Sequence, residues 1–110
     1  MGATDEVVLE KAESLAGSCV RAGVRDNQLS QILTHLKRRR DLGSTRRLVK
    51  ELPGSAFGKR NRGTQKQFEA LRDHVGEVLR WANNWQDAAR VVGWAKRLCR
   101  WKSQESGGWR

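Results

Sequence analysis

Residues 64–82 read TQKQFEALRDHVGEVLRWA and carry the clearest secondary-structure signal in the chain. Their apolar side chains recur at the 3.6-residue period of an amphipathic α-helix. Thr64 and Gln67 have the spacing of a capping box, in which each side chain accepts a hydrogen bond from the other residue's backbone N–H. The sequence therefore predicts a helix from Thr64 to Ala82. Its predicted buried face consists of Phe68, Leu71, Val75, Val78, Leu79 and Ala82.

Three further helices are predicted before this one. The first covers residues 4–22, with Thr4 as its N-cap, and the second covers about residues 26–41. The third is capped by Ser44 and ends before Pro53, because proline disfavours helical backbone in the residue before it. The residues that these helices are expected to bury are Val8, Ala12, Leu15 and Cys19, then Leu29, Ile32, Leu33 and Leu36, then Leu48, Val49 and Leu52.

A loop and a fifth helix complete the prediction. Residues 53–63 (PGSAFGKRNRG) contain three glycines and one proline, which indicates a loop. The pair Asn83-Asn84 interrupts the helical pattern and can cap a fifth helix that ends near residue 102. We therefore predict an all-α chain, with one compact bundle of about five helices over residues 1–102 and a flexible tail over 103–110. The fifth helix is expected to bury Trp85, Ala88, Val91, Val92, Ala95, Leu98 and Cys99.

Composition limits the classes of function. The 110 residues carry a net charge of +10, and residues 25–63 hold eleven Lys and Arg against three Asp and Glu. A field of this sign attracts polyanions. No basic, apolar leader opens the chain and no apolar run is long enough to cross a membrane, so we expect a cytoplasmic protein without a membrane partner. The two cysteines fall on apolar helix faces and are predicted to be buried free thiols.

The basic residues are the leading candidates for a binding site. Arginine side chains match phosphate oxygens in pairs, and such contacts bind a nucleic-acid backbone without reading its sequence. A solvated surface is the usual role of a single charge run, but three runs cluster here with few acids among them. The predicted nucleic-acid-binding residues are Lys37, Arg38, Arg39, Arg40, Arg46, Arg47, Lys59, Arg60, Arg62, Arg90 and Arg97.

Tryptophans at the edges of the apolar faces are a second candidate set. Trp94 and Trp101 alternate with Arg90 and Arg97 along one side of the fifth helix, and Trp81 has a similar position on the fourth. Three roles are open: the rim of the protein's own core, an anchor in a subunit interface, or a platform on which bases stack. Because the small core holds surplus apolar surface, we assign these three residues to a subunit interface.

No pattern indicates catalysis. His35 and His74 stand alone, without the cysteine or carboxylate spacing of a metal site. The glycines of residues 54–63 lack the order of a phosphate-binding loop. We therefore expect no catalytic residue, no metal, no cofactor and no enzymatic activity.

Three segments share the order and rough spacing of a known family. They are Asn27–Leu33 (NQLSQIL), then Leu48–Pro53 with Ala56-Phe57-Gly58 and Arg60, and finally Ala89–Ala95 with Trp101-Lys102 and Gly107-Gly108. Over about residues 24–110, they resemble the small subunit of type III CRISPR–Cas effector complexes. The chain departs from that pattern at Gln31, where the family has arginine, at Phe57, where it has tyrosine, and in a tail without histidine or tyrosine.

The resemblance implies a non-catalytic subunit that contributes to antiviral defense. Copies of a helical bundle would stack head to tail and lay basic surfaces along guide RNA and target RNA, while other subunits cleave. Two alternatives stay open. A helical DNA-binding regulator could use helices two and three as a helix-turn-helix, and a basic accessory protein could bind a nucleic-acid enzyme.

Overall fold

The structure is a computed structural model that describes the backbone of residues 3–51 and 62–107 and the side chains of residues 3–51 and 66–102. These residues form five α-helices and no β-strand, which confirms the predicted all-α fold. None of the described helices has the length and apolar character needed to cross a membrane. The helices are α1 (Asp5–Ala22), α2 (Asp26–Arg39), α3 (Leu42–Glu51), α4 (Arg62–Trp81) and α5 (Trp85–Gly107).

Two of the predicted helix starts are confirmed by their caps. The Thr4 hydroxyl accepts a hydrogen bond from the Val7 N–H at 3.4 Å and opens α1. At the start of α5, the Asn84 side-chain oxygen accepts one from the Asp87 N–H at 2.8 Å. The α1 helix ends at Gly23, whose φ of 79° is the left-handed conformation that glycine adopts without steric cost.

The junction between α2 and α3 differs from the prediction. The α2 helix ends at Arg39 because Arg40 takes up left-handed backbone, with a φ of 53°. The predicted Ser44 cap was wrong. The cap is Asp41, whose carboxylate accepts hydrogen bonds from the N–H groups of Gly43, at 3.3 Å, and Ser44, at 3.0 Å. A carboxylate is favoured here because it also faces the positive end of the α3 dipole.

The bounds of α4 and α5 also differ. The α4 helix begins at Arg62, so Thr64 lies inside it and the predicted capping box at Thr64 was wrong. The Gln67 amide oxygen instead accepts a hydrogen bond from Gln28 at 3.3 Å, which joins α4 to α2. The α5 helix continues to Gly107, where a tail from residue 103 had been predicted. The predicted loop falls largely on residues 52–61, which lie outside the described residues.

The five helices pack in a ring in the order α1, α5, α2, α3, α4 and back to α1. Residues at the start of α1 bond to the start of α5, and Cys99 donates to the Val24 carbonyl near their far ends, so these two helices run in the same direction. The other neighbours alternate in direction, as Arg40 beside Trp85 illustrates for α2 and α5. A ring with an odd number of helices requires one such parallel pair.

The core follows the predicted apolar faces. Buried side chains from all five helices form one cluster, and Leu33, Phe68, Trp81, Trp85 and Leu98 pack partly buried against it. Sequence reasoning missed Thr45, which is fully buried. Its hydroxyl donates to the Asp41 carbonyl at 3.1 Å and pairs with His35 Nδ1 at 3.0 Å, so the α2–α3 junction is internally hydrogen-bonded.

Candidate nucleic-acid interface

A shallow groove between α2 and α5 gathers cations from the predicted set. It encloses about 330 Å³. Leu33 and Lys37 line it from α2, one helical turn apart, and α5 contributes the opposite wall. No described carboxylate lines it. The α5 residues that line this α2/α5 groove are Ala89, Arg90, Gly93, Trp94, Lys96 and Arg97.

Small residues on α5 create the groove. Ala89 and Gly93 are one turn apart, and a Cβ atom on Gly93 would lie 3.8 Å from the Leu33 side chain. Because these residues carry little side chain, α2 approaches α5 closely at this level. The longer Lys37, Lys96 and Arg97 then stand around the floor rather than filling it.

The cations of the groove have different roles. Arg90 is half-buried and makes ion pairs with Asp5 and, at 3.6 Å, with Asp87. Its guanidinium also donates to the Ala3 carbonyl at 2.8 Å. Arg90 therefore ties the start of α1 to α5, and its charge is balanced within the protein. Lys37 and Lys96 have no ion-pair partner among the described residues, and Arg97 lies over the Trp94 ring, 5.4 Å from its centroid.

Lys96 was missed in the sequence. It lies one helical turn after Gly93, at positions 89, 93 and 96 of one helix face. The signal available was this face itself, since two small residues followed by a cation at helical spacing indicate a groove with a charged edge. The sequence argument had followed the neighbouring face of Arg90 and Arg97 instead.

Two predicted cations are used within the protein. Arg46 on α3 donates to the Leu79 carbonyl from Nη2 at 2.6 Å and from Nε at 3.2 Å. Leu79 lies in the last turn of α4, where backbone carbonyls lack helical partners, so Arg46 caps α4. Arg40 holds its guanidinium 6.0 Å from the centroid of the Trp85 ring, which favours attraction between the cation and the ring.

The remaining predicted cations are in different places. Lys37, Arg38 and Arg39 are exposed at the end of α2, and Arg47 is exposed on α3. Of these, only Lys37 lines the α2/α5 groove. Arg62 is the first residue of α4, and nothing is described of its side chain. Lys59 and Arg60 lie outside the described residues.

The three candidate tryptophans differ in exposure. Trp81 packs against the core, and the Lys11 ammonium lies 5.8 Å from its ring centroid, so Trp81 forms part of the core rim. Trp94 is 43% exposed and Trp101 is 63% exposed. The latter two lie two turns apart on α5, with Arg97 between them, and present an aromatic and cationic strip to solvent.

A second basic groove lies between α3 and α4 and encloses about 370 Å³. It differs from the first because Arg72 pairs with Asp73 at 3.0 Å and Arg46 is bonded to Leu79. The residues lining this α3/α4 groove are Arg46, Val49, Lys50, Arg72, Asp73, Gly76 and Arg80.

The groups that could perform acid–base or nucleophilic chemistry are separate from these grooves. Both cysteines are buried free thiols, as predicted. Burial, with a smaller contribution from nearby Cys99, raises the pKa of Cys19 to about 12, and burial also raises the pKa of Cys99. A thiol that stays protonated at neutral pH is a weak nucleophile. Within the described residues, no three His, Cys, Asp or Glu side chains cluster closely enough to hold a metal ion.

Comparison of the chain with protein-family models, with curated proteins and with solved structures found no match.

Proposed function

We propose that this protein is a non-catalytic, cytoplasmic subunit of a ribonucleoprotein complex, and that it binds the backbone of guide RNA or target RNA through the α2/α5 groove. The observation that carries the proposal is the arrangement of Lys37, Lys96 and Arg97 around an exposed tryptophan, with no described carboxylate in the lining. Cations without internal partners are available for phosphate oxygens, and an exposed indole is available for a base.

The type of complex follows from the resemblance in sequence. The segments NQLSQIL, Leu48–Pro53 and Ala89–Ala95 are similar to those of small subunits in type III CRISPR effector complexes. We extend the proposal to that setting: copies of the chain stack with one another and with other subunits in antiviral defense, and RNA cleavage belongs to a different subunit.

The proposal predicts binding that is nearly independent of RNA sequence and steeply dependent on salt. Each lost phosphate contact on a single strand lowers the slope of log K against log salt by about 0.7. Replacing Lys37, Lys96 and Arg97 with Gln should therefore lower the slope by about 2 and weaken binding at least about tenfold. Fluorescence anisotropy with labelled oligouridine, over a salt series, measures both quantities.

A matched control removes the same charge elsewhere. Exposed Arg21, Lys50 and Lys66 lie on α1, α3 and α4, and replacing them with Gln gives the same net charge as the groove variant. Equal losses for both triple variants would mean that only overall charge matters, and the groove would not be the site. A tenfold preference for one DNA duplex sequence would instead favour a regulator. Stoichiometric co-purification with one catalytic protein, free of nucleic acid, would favour an accessory role.

A further inference from the structure

The α3/α4 groove contains a glycine that the fold does not require. Gly76 is in the interior of α4, where glycine is a poor helix former. A Cβ atom placed on it would have no neighbouring heavy atom within 4 Å, so packing within the chain does not exclude a larger residue. Arg72 and Arg80 lie one turn to either side, and Arg80 has no ion-pair partner among the described residues. Gly76 therefore leaves an open saddle between two cations.

The outer face of α1 has the opposite charge. Glu6, Glu10 and Glu13 recur at helical spacing, are exposed, and have no ion-pair partner among the described residues. Gly17 continues the same face and is the second interior glycine that packing leaves unexplained. A Cβ atom on it would meet only the guanidinium of Arg21, at 3.5 Å, which is the end of a flexible side chain.

These two surfaces match in the order of their charges. Along α4 the order is Asp73, Gly76, Arg80, and along α1 it is Glu13, Gly17, Arg21. If the two helices cross in opposite directions with the glycines in contact, Glu13 meets Arg80 and Arg21 meets Asp73. Small residues at the crossing let two helices approach closely.

We propose that the outer face of α1 in one copy docks into the α3/α4 groove of a second copy. A nucleic-acid backbone is a poorer occupant, because Asp73 lines the groove and would repel phosphate. The two surfaces lie on different parts of the chain, so the contact is heterologous and repeats from copy to copy into a head-to-tail array. This inference deepens the stacking part of the proposed function and rests on it.

The test uses three glycine-to-glutamine variants of the full chain without RNA. Gly17→Gln blocks only the α1 face, and Gly76→Gln blocks only the groove. Gly43→Gln is the matched control, because Gly43 is exposed on α3 and a Cβ there would make only ordinary contacts with Asp41. Glutamine is the better helix former, so thermal unfolding should show Tm values at or above that of the wild type for all three. Loss of assembly would then not reflect misfolding.

Sedimentation velocity at low salt measures the assembly. The wild type and Gly43→Gln should grow beyond dimers as concentration rises. Gly17→Gln and Gly76→Gln should each remain at the 12.5 kDa monomer mass. An equimolar mixture of these two should form a one-to-one dimer and stop, because each supplies the surface that the other has lost. A monomeric wild type at about 1 mM, or wild-type assembly by either blocked variant, would overturn the proposal.

RNA binding separates this inference from the proposed function. At protein concentrations where the wild type is monomeric, Gly17→Gln and Gly76→Gln should bind oligouridine with wild-type affinity. A tenfold loss confined to Gly76→Gln would identify the groove as a nucleic-acid site and overturn docking of a second copy. The Lys37/Lys96/Arg97 variant should assemble like the wild type. Assembly without RNA binding would therefore contradict only the proposed function, and RNA binding without assembly would contradict only this inference.

Discussion

The α2/α5 and α3/α4 grooves are both basic, but their cations are used differently. In the α3/α4 groove, Arg46 caps the end of α4 and Arg72 pairs with a carboxylate in the lining. In the α2/α5 groove, Lys37 and Lys96 have no described ion-pair partner and no carboxylate lines the wall. Charge density along the sequence is high in both cases. The difference therefore lies in the tertiary partners, which separate cations that support the fold from cations available to a ligand.

The largest effect is expected from Arg90. Replacing it with Ala leaves the carboxylate of Asp87, which is only 3% exposed, without its guanidinium and frees the start of α1. After a discount for the partial exposure of Arg90, we expect a loss of about 2 kcal/mol in the free energy of unfolding. Tm should fall by about 8 °C in thermal denaturation. The control is Arg97→Ala on the same strip, which should shift Tm by less than about 2 °C. Equal destabilisation by both would remove the distinction drawn between them.

The next effect concerns Trp94. If a base stacks on this exposed ring, Trp94→Ala should weaken single-stranded RNA binding by about tenfold, within the 1–3 kcal/mol that such stacking contributes. Binding of a paired RNA duplex should change little, because its bases are already stacked. A matched titration with Trp101→Ala tests how far along the strip the RNA extends. Unchanged affinity for single strands, with weaker self-association, would assign Trp94 to a subunit interface instead.

A smaller effect is expected at Arg46. Arg46→Ala removes the two hydrogen bonds to the Leu79 carbonyl, and we expect a loss of about 1 kcal/mol in the free energy of unfolding, since water can replace part of the interaction. Chemical denaturation would measure it. RNA affinity should decrease no more than in Arg47→Ala, an exposed neighbour that removes the same charge. A much larger loss of affinity for Arg46→Ala would place this arginine in the binding site.

The smallest effect is a difference between two variants of Arg40. Both Arg40→Gly and Arg40→Ala lose the contact with the Trp85 ring, so their comparison isolates the left-handed backbone at this position. Glycine should be the more stable by about 1 kcal/mol, because alanine bears the steric cost of a positive φ. Identical midpoints in urea would argue against left-handed backbone here.

The fold was largely predictable from the sequence, whereas the site was predictable only in part. Helix faces such as Leu29, Ile32 and Leu36 follow from periodicity alone, because burial imposes it. The caps were less certain, because Asp41 and Ser44 are both good N-caps and only the structure distinguishes them. The partnership of Arg90 with Asp5 joins residues 85 apart in the chain, which no local pattern reveals. The groove likewise exists only once α2 lies across Gly93.

The most direct test of the account is to map bound RNA by NMR. Backbone amide shifts of the monomeric protein would be followed while oligouridine is added. We predict that the largest changes occur at residues 33–40 and 89–97, on the two walls of the α2/α5 groove, and that residues 46–50 and 72–80 change little. Changes concentrated in the α3/α4 groove, or spread evenly over every exposed cation, would contradict the account.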